Sequence, residues 1–315
     1  MSTQGESVCT AGGSPVAALA FGTSGIAPEL TQCCVFSALR AGYRHIDCAP
    51  LYGNEVEVGK AIARALSQGL LRRDELFVTT KLLCTHQEPE DVLPCLQQSL
   101  RDLQLEYVDL FLIHWPLKFR KGTGFPPKEE DFLPLDIKST WRAMESTVEV
   151  GLTRAIGVSN FSTKKLESLL EYAVVKPAFD QVEMHPGWQQ QTLRAFCKPR
   201  GILVSAFAAL GAPGTFYGRN DILSLPLVLE LASKHKKTPA QIAIRWSLQQ
   251  GVCTIVKSSN AARIEENNDV WDWKLSEEDL KRFSNIPQSR MPVKLWCNLT
   301  TSPYRSAQDL WDGEC

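Results

Sequence analysis

The chain carries almost no net charge: 34 Lys and Arg stand against 35 Asp and Glu in 315 residues. That balance gives no reason to expect nucleic acid or an anionic membrane as a partner. Long apolar runs are missing too: strand-sized stretches such as Leu110 to Ile113 fall far short of the ~20 residues a membrane span needs. The opening MSTQGESVCTAGGSP has neither a basic stretch nor an apolar core, so a cytoplasmic rather than a secreted protein is expected. Ten cysteines are scattered with no CxxC pair, and five histidines offer no ligand spacing, so no metal site is expected. Dense disulfide scaffolds belong to small secreted domains, and the cysteines, Cys33-Cys34 and Cys315 included, are read mainly as buried thiols. The two sequons, at Asn160 and Asn298, are read as accidents of composition in a cytosolic protein. No GxGxxG follows a strand, which argues against a Rossmann-type dinucleotide site.

What the chain does have is alternation. Apolar or β-branched runs at Val16–Gly22, Tyr43–Asp47, Leu76–Lys81, Val108–His114, Ala155–Ser159, Phe179–Val182, Ile202–Phe207 and Cys253–Val256 read as strands. Between them, helical patterns cover Leu30–Ala41, Glu55–Ala65, Pro89–Gln104, Ser139–Glu149, Thr163–Ala173, Gln191–Lys198 and Ser224–Lys234. In the third of these Leu93, Leu96, Leu100 and Leu103 suggest one apolar stripe. Eight strands alternating with helices predict an α/β fold, and with this many units in one chain a (β/α)8 TIM barrel is preferred to an open sheet. With no composition break or repeat, one domain spanning 1–315 is expected. Long loops at Lys118–Leu135 and Gly211–Asp221, and a C-terminal tail from about 286, are expected to shape a site.

Polar residues sit at the end of nearly every strand: Asp47 after RHI, Lys81 after FVTT, His114 after LFLI, Ser159-Asn160 after AIGV, and Gln181-Val182-Glu183. Strand C-termini are where barrel enzymes carry their active sites. Each residue alone is open to a packing role, as a structural Asp-Lys pair or a satisfied core histidine. Five at equivalent positions are hard to explain by packing. Tyr52, in the loop Cys48–Glu55, either caps the barrel mouth or belongs to the same set.

These residues lie in a recognisable pattern. Gly42-Tyr43-Arg44-His45-Ile46-Asp47-Cys48-Ala49, then Tyr52-Gly53-Asn54-Glu55 and Gly59, resembles the first signature of the aldo-keto reductase family. Lys81, the run Asp109 to Pro116, and Gly157-Val158-Ser159-Asn160-Phe161 follow in the family's order, and Val256-Lys257-Ser258 with Arg263-Ile264 and Glu266-Asn267 resembles its third signature. The resemblance runs from about Gly22 to the C-terminus. It implies an NADPH-dependent reductase of carbonyl groups, with Tyr52, Asp47, Lys81 and His114 as catalytic residues.

The chemistry fits on its own terms. Carbonyl reduction needs a hydride donor on one side and an acid for the developing alkoxide on the other. A free Tyr hydroxyl, with a pKa near ~10, is a poor acid at neutral pH. A neighbouring Lys81 ammonium would favour the phenolate, and Asp47 would hold that lysine charged. His114 can donate to the carbonyl oxygen and orient it. Lys257, Ser258 and Arg263, two cations and a hydroxyl after the eighth strand at a helix start, suit the 2′-phosphate of NADPH rather than NADH. The resemblance further implies that Glu266 and Asn267 hold the adenine. It gives Ser159, Asn160 and Gln181 to the carboxamide, and places Gly22, Thr23, Asp47 and Leu210 along the cofactor.

The chain departs from the family at several positions. The usual nicotinamide-stacking Tyr-Ser pair reads Phe207-Ala208, so a ring can still stack but two hydroxyls are lost. Asp180 stands where Asn is common. Two pocket positions that are often Trp read Ser24 and Leu83, while Trp115 is retained, which predicts a wider, more aliphatic mouth and a bulky substrate. The stretches Glu183 to Gln190, Leu210 to Gly214, Asp272-Trp273 and Leu310 to Glu314 resemble the plant branch, which includes chalcone (polyketide) reductases, codeinone reductase and deoxymugineic acid synthase. That likeness implies reduction of ketones or imines of specialised metabolites by a monomer, with transient contact with an upstream biosynthetic enzyme among the partners considered. The alternative is a catalytically slow, NADPH-sensing binding partner resembling the potassium-channel β-subunits, since those keep the same four residues.

Overall fold

The computed structural model describes residues 7–9, 15–215, 218–219, 221–292, 296–297 and 300–314. Eight strands close into a barrel: β1 Leu19–Gly22, β2 His45–Asp47, β3 Phe77–Leu82, β4 Val108–Ile113, β5 Thr153–Ser159, β6 Phe179–Glu183, β7 Leu203–Phe207 and β8 Cys253–Val256. Each pairs in parallel with its neighbours in chain order, and β8 returns to β1. All eight expected strands are present and the (β/α)8 architecture is as expected.

The helices are α1 Pro28–Arg40, α2 Glu55–Ser67, α3 Pro89–Leu103, α4 Ile137–Glu149, α5 Thr163–Leu170, α6 Gln191–Cys197, α7 Pro226–His235, α8 Pro239–Gln249, α9 Ala261–Asn268, α10 Glu277–Phe283 and the tail helix α11 Ala307–Leu310. The main core lies between barrel and helices, with Phe111, Ile113, Trp141, Met144, Ile156 and Val158 fully buried. A second layer, including Leu110, Leu112, Phe179 and Cys253, fills the barrel itself. Both follow from the pleat: alternate residues of one strand face opposite sides. Gly59 lets α2 lie directly on α3, since a Cβ there would collide with the Asp102 carbonyl.

Several expectations are corrected. On α3 the buried stripe is Val92, Leu96, Leu100 and Leu103, while Leu93 is 36% exposed; the stripe rises by four residues from Val92, which rotates Leu93 to its edge. The expected first strand divides at Ala18, because Pro15–Ala17 pairs antiparallel with Ser7–Cys9 in a separate hairpin. α8 was not foreseen. It is buried from Gln241 to Leu248, so it has no polar face to make a period visible; its start is nonetheless marked by a capping box between Thr238 and Gln241. The loop after Pro116 carries a short ribbon of Lys118–Phe119 with Phe132–Leu133. Cys34, Cys48, Cys84, Cys95, Cys197 and Cys253 are buried free thiols, Cys33 is an exposed one, and Cys297 is buried. Cys315 and Asn298 lie outside the described residues. No helix among them is long and apolar enough to cross a membrane.

Candidate active site

The barrel brings the predicted residues together through one parity of each strand. Gly22 pairs in register with Asp47, Asp47 with Thr79, and Gln181 with Ser159. Counting by twos along β2, β3, β5 and β6 therefore delivers Asp47, Lys81, Ser159 and Gln181 to the same end. Tyr52 arrives differently. Pro50–Tyr52 forms a turn of 3-10 helix that ends at Gly53, whose φ of +67° suits a residue without a Cβ. The loop is tied down by Asn54, whose Nδ2 donates to the carbonyls of Thr23 and Ile26, each at 3.0 Å.

Lys81 lies under this loop with no solvent exposure. Its Nζ donates to Asp47 Oδ1 at 2.8 Å, to the Cys48 carbonyl at 3.0 Å and to the Tyr52 hydroxyl at 3.1 Å. Burial alone would push the ammonium towards neutrality, but the Asp47 carboxylate and Tyr52 more than offset it, and its pKa is raised. The second Asp47 oxygen accepts from Gln181 Nε2 at 2.7 Å. The His114 ring stands edge-on to Tyr52 at 5.7 Å. Burial first, and the Lys81 charge second, hold it well below the usual histidine range, so at neutral pH it is an uncharged imidazole able to donate one hydrogen bond.

These groups open into a cleft of about 910 Å³. Tyr52, His114, Asp47, Trp115 and Ser24 line it at one end, and Lys257, Ser258, Arg263 and Asn267 at the other. Gly22, Ser159, Asn160, Gln181, Phe207 and Leu210 line the stretch between. Four predicted residues do not line it. Lys81 lies beneath Tyr52; Thr23 is buried, its Oγ1 donating to the Asp47 carbonyl at 3.1 Å. Leu83 packs against the main core. The Glu266 carboxylate accepts from Thr238 Oγ1 at 2.9 Å.

The site's donors fit a nicotinamide dinucleotide. Asn160 Nδ2 is engaged by the His114 carbonyl and Ser159 Oγ, and Ser159 Oγ donates to the Gln181 carbonyl at 2.7 Å, so Asn160 and Gln181 retain amide oxygens to accept from a carboxamide. At the far end Asn260 caps α9, Arg263 Nε reaches Ser258 Oγ at 3.4 Å, and both cations stand beside a helix N-terminus, a receptor for a phosphate.

One wall was not foreseen. Phe125, Met291, Pro292 and Trp296 line the cleft, and Trp296 packs against Trp115 at 5.1 Å, Phe119 at 6.0 Å and Phe125 at 6.0 Å. The mouth is therefore aromatic rather than aliphatic: the tail contributes an indole where Ser24 and Leu83 do not. The only trace of this in sequence was the length of the two loops. Nothing local says that residues more than 170 apart will meet.

A family model described as the aldo/keto reductase family matches residues 18–287. Deoxymugineic acid synthase 1 of Zea mays is 42% identical over 316 residues, the whole of both chains. 7-acetyl-epi-neemfruitin B aldo-keto reductase of Melia azedarach is 46% identical over 281 residues, 89% of this chain and 88% of that one. Among solved structures, a Bombyx mori aldo-keto reductase in complex with NADP superposes with a TM-score of 0.86 at 32% identity, covering 93% of this chain and 97% of that chain.

Proposed function

The chain belongs to the aldo/keto reductase family and is an NADPH-dependent oxidoreductase, and on that premise we propose that it reduces the ketone or aldehyde of a bulky plant specialised metabolite with Tyr52 as proton donor. The observation that carries this reading is the fully buried Lys81, held between Asp47 and the Tyr52 hydroxyl at the head of a cleft whose far end is cationic.

When bound, NADPH supplies the hydride that the carbonyl carbon accepts. Lys257, Ser258 and Arg263 would take its 2′-phosphate, and Asn267 its adenine. Ser159, Asn160 and Gln181 would take its carboxamide, Phe207 would lie against the nicotinamide ring, and Gly22 and Leu210 would flank the cofactor.

The other steps belong to side chains. His114, uncharged, donates its N–H to the substrate oxygen and turns the carbonyl towards the cofactor. The Tyr52 O–H transfers its proton to the oxygen as negative charge develops there. Lys81 stabilises the phenolate left behind, in a site shielded from water where that charge interaction is strong. Asp47 keeps Lys81 charged, and through Gln181 couples the acid group to the carboxamide site.

The cleft is lined by Trp115, Phe125 and Trp296 together with the small residues Ser24 and Gly25, which suits a large ring system. The neemfruitin B relative supports a bulky substrate by its name. Within the same reading the chain acts as one barrel domain and a cytosolic monomer, taking its carbonyl from an upstream biosynthetic enzyme.

The test is NADPH consumption, followed by absorbance, against aldehydes, bulky ketones and cyclic imines, with Tyr52→Phe alongside. Turnover that falls by about 10²-fold or more in Tyr52→Phe is expected. Equal turnover in both proteins would remove Tyr52 from the chemistry.

A further inference from the structure

The tail enters the cleft wall at Met291, which lines the cleft together with Pro292 and Trp296. What fixes that entry lies outside the cleft. The Met291 backbone N–H donates to both carboxylate oxygens of Glu183, at 2.9 and 3.1 Å. Glu183 ends β6, is 3% exposed, and also contacts His185 Nε2 at 3.0 Å. Arg290 Nε stands 3.8 Å from the same carboxylate.

The Arg290 guanidinium makes two further attachments. Its carbon lies 3.4 Å over the Trp311 ring and 5.2 Å from the Trp188 ring. Its Nη1 donates to the Glu314 carbonyl at 2.9 Å. Trp311 in turn packs on Trp115 at 6.0 Å. One planar cation thus joins the end of a barrel strand, the start of the tail wall, the end of the tail, and the indole that backs Trp115.

We propose that Arg290 is a specificity-determining positioning residue, a buckle that sets the distance between the tail wall and the catalytic groups. This rests on the reductase reading above. A guanidinium over an indole is attracted to the ring face and also pairs with a carboxylate in one plane, which neither an ammonium nor an apolar side chain does. Near a reacting carbonyl, a displacement of about 1 Å changes how often a large substrate reaches attack geometry. A small substrate does not touch the wall and is indifferent to it. Arg290 does not line the cleft, so it acts only through the wall it holds. The far end of the tail has a second tie, Lys165 Nζ to Asp312 at 2.5 Å and to the Leu310 carbonyl at 2.7 Å, so replacing Arg290 frees the tail wall while the far end stays held by Lys165.

The experiment compares kcat and KM for a three-ring aromatic dione, phenanthrenequinone, and for propanal in the wild type, Arg290→Ala, Arg290→Lys and Glu183→Gln, with NADPH binding by fluorescence. In Arg290→Ala the KM for the tricyclic dione is expected to rise about tenfold, with both constants for propanal and the NADPH affinity unchanged within about twofold. Arg290→Lys keeps the charge but not the planar stack and is expected to fall between. Glu183→Gln keeps an acceptor for Met291 and is expected to raise the same KM by about threefold. A KM ratio for the two substrates that stays constant in Arg290→Ala, or a matching change in both, overturns the inference. Should Arg290→Ala not fold, the same ratio in Arg290→Lys and Glu183→Gln decides it. A wild type that reduces neither probe and no member of the wider panel would overturn the reductase reading itself, and the buckle with it.

Discussion

The Nζ of Lys81 meets the Tyr52 hydroxyl at 3.1 Å from beneath the cleft floor, a contact made by a side chain that solvent does not reach. Lys81→Met removes the cation from under the acid and leaves the Asp47 carboxylate with Gln181 alone. The expected result is a fall in kcat of about 10²–10³-fold. A loss of roughly 3 kcal/mol in stability should accompany it, as for a buried pair broken on one side. NADPH affinity should hold within about twofold. Steady-state kinetics with thermal melts check this, and a variant that keeps kcat would place the lysine in a purely structural role.

Discrimination between cofactors should reside at the far end of the cleft. Arg263→Ala removes one of two cations beside Ser258 and the α9 N-terminus. A charge-assisted contact contributes about 1.5–3 kcal/mol, so NADPH affinity is expected to fall about 10- to 100-fold. NADH, which lacks the 2′-phosphate, should bind the variant as it binds the wild type. Fluorescence titration with both nucleotides tests the assignment; equal losses for the two would refute it.

Asp180, which replaces the family's usual Asn, is wholly buried and neither carboxyl oxygen has a hydrogen-bond partner. Burial raises its pKa well above the usual carboxylate range, and the Arg290 charge offsets this only in part. The folded protein therefore keeps a proton that the unfolded chain releases. This contribution to stability is complete below about pH 4 and declines as pH rises through the folded pKa. Asp180→Asn is expected to raise Tm at pH 7, and the gain should shrink as pH is lowered towards 4. A variant less stable at pH 7 than the wild type would contradict this.

His45 has the opposite sign. It sits inside the barrel with Nε2 2.9 Å from Thr79 Oγ1, and burial lowers its pKa to about 4, against a partly compensating Asp47. As pH falls below about 6.5 the unfolded chain takes up a proton that the folded one refuses, so stability is lost, by roughly 3 kcal/mol at pH 4. Because Asp180 pulls the other way in that window, single variants are required. His45→Gln is expected to flatten the decline in denaturant midpoint between pH 6.5 and 4.5; an unchanged slope would assign the acid sensitivity elsewhere.

The convergence of the candidate site residues was legible because it obeys local rules. Asp47, Lys81 and Ser159 each close an expected strand and Gln181 lies near the close of another, and a two-residue period with a common C-terminal end suffices to gather them. Leu83 escaped the same rule: it is the first residue past β3, where a 3-10 turn over Cys84–His86 begins, and its side chain packs against the main core. Leu93 and α8 show the limit for helices. A stripe can be read only where one face is wet, and α8 is buried on nearly every side.

Local sequence determined the barrel, the order of its units, and the gathering of Asp47, Tyr52 and Lys81 at one end of it, because hydrophobic periodicity and residue type are properties of neighbours along the chain. Tertiary structure alone decided the aromatic mouth and the Arg290 buckle. Those rest on contacts of Trp296 with Phe119 and of Arg290 with Glu183 and Trp311. The first joins residues separated by most of the barrel, and the second joins residues more than 100 apart. Such contacts form only after the strands have closed and the loops have been carried to one end, so no period or spacing in the sequence records them.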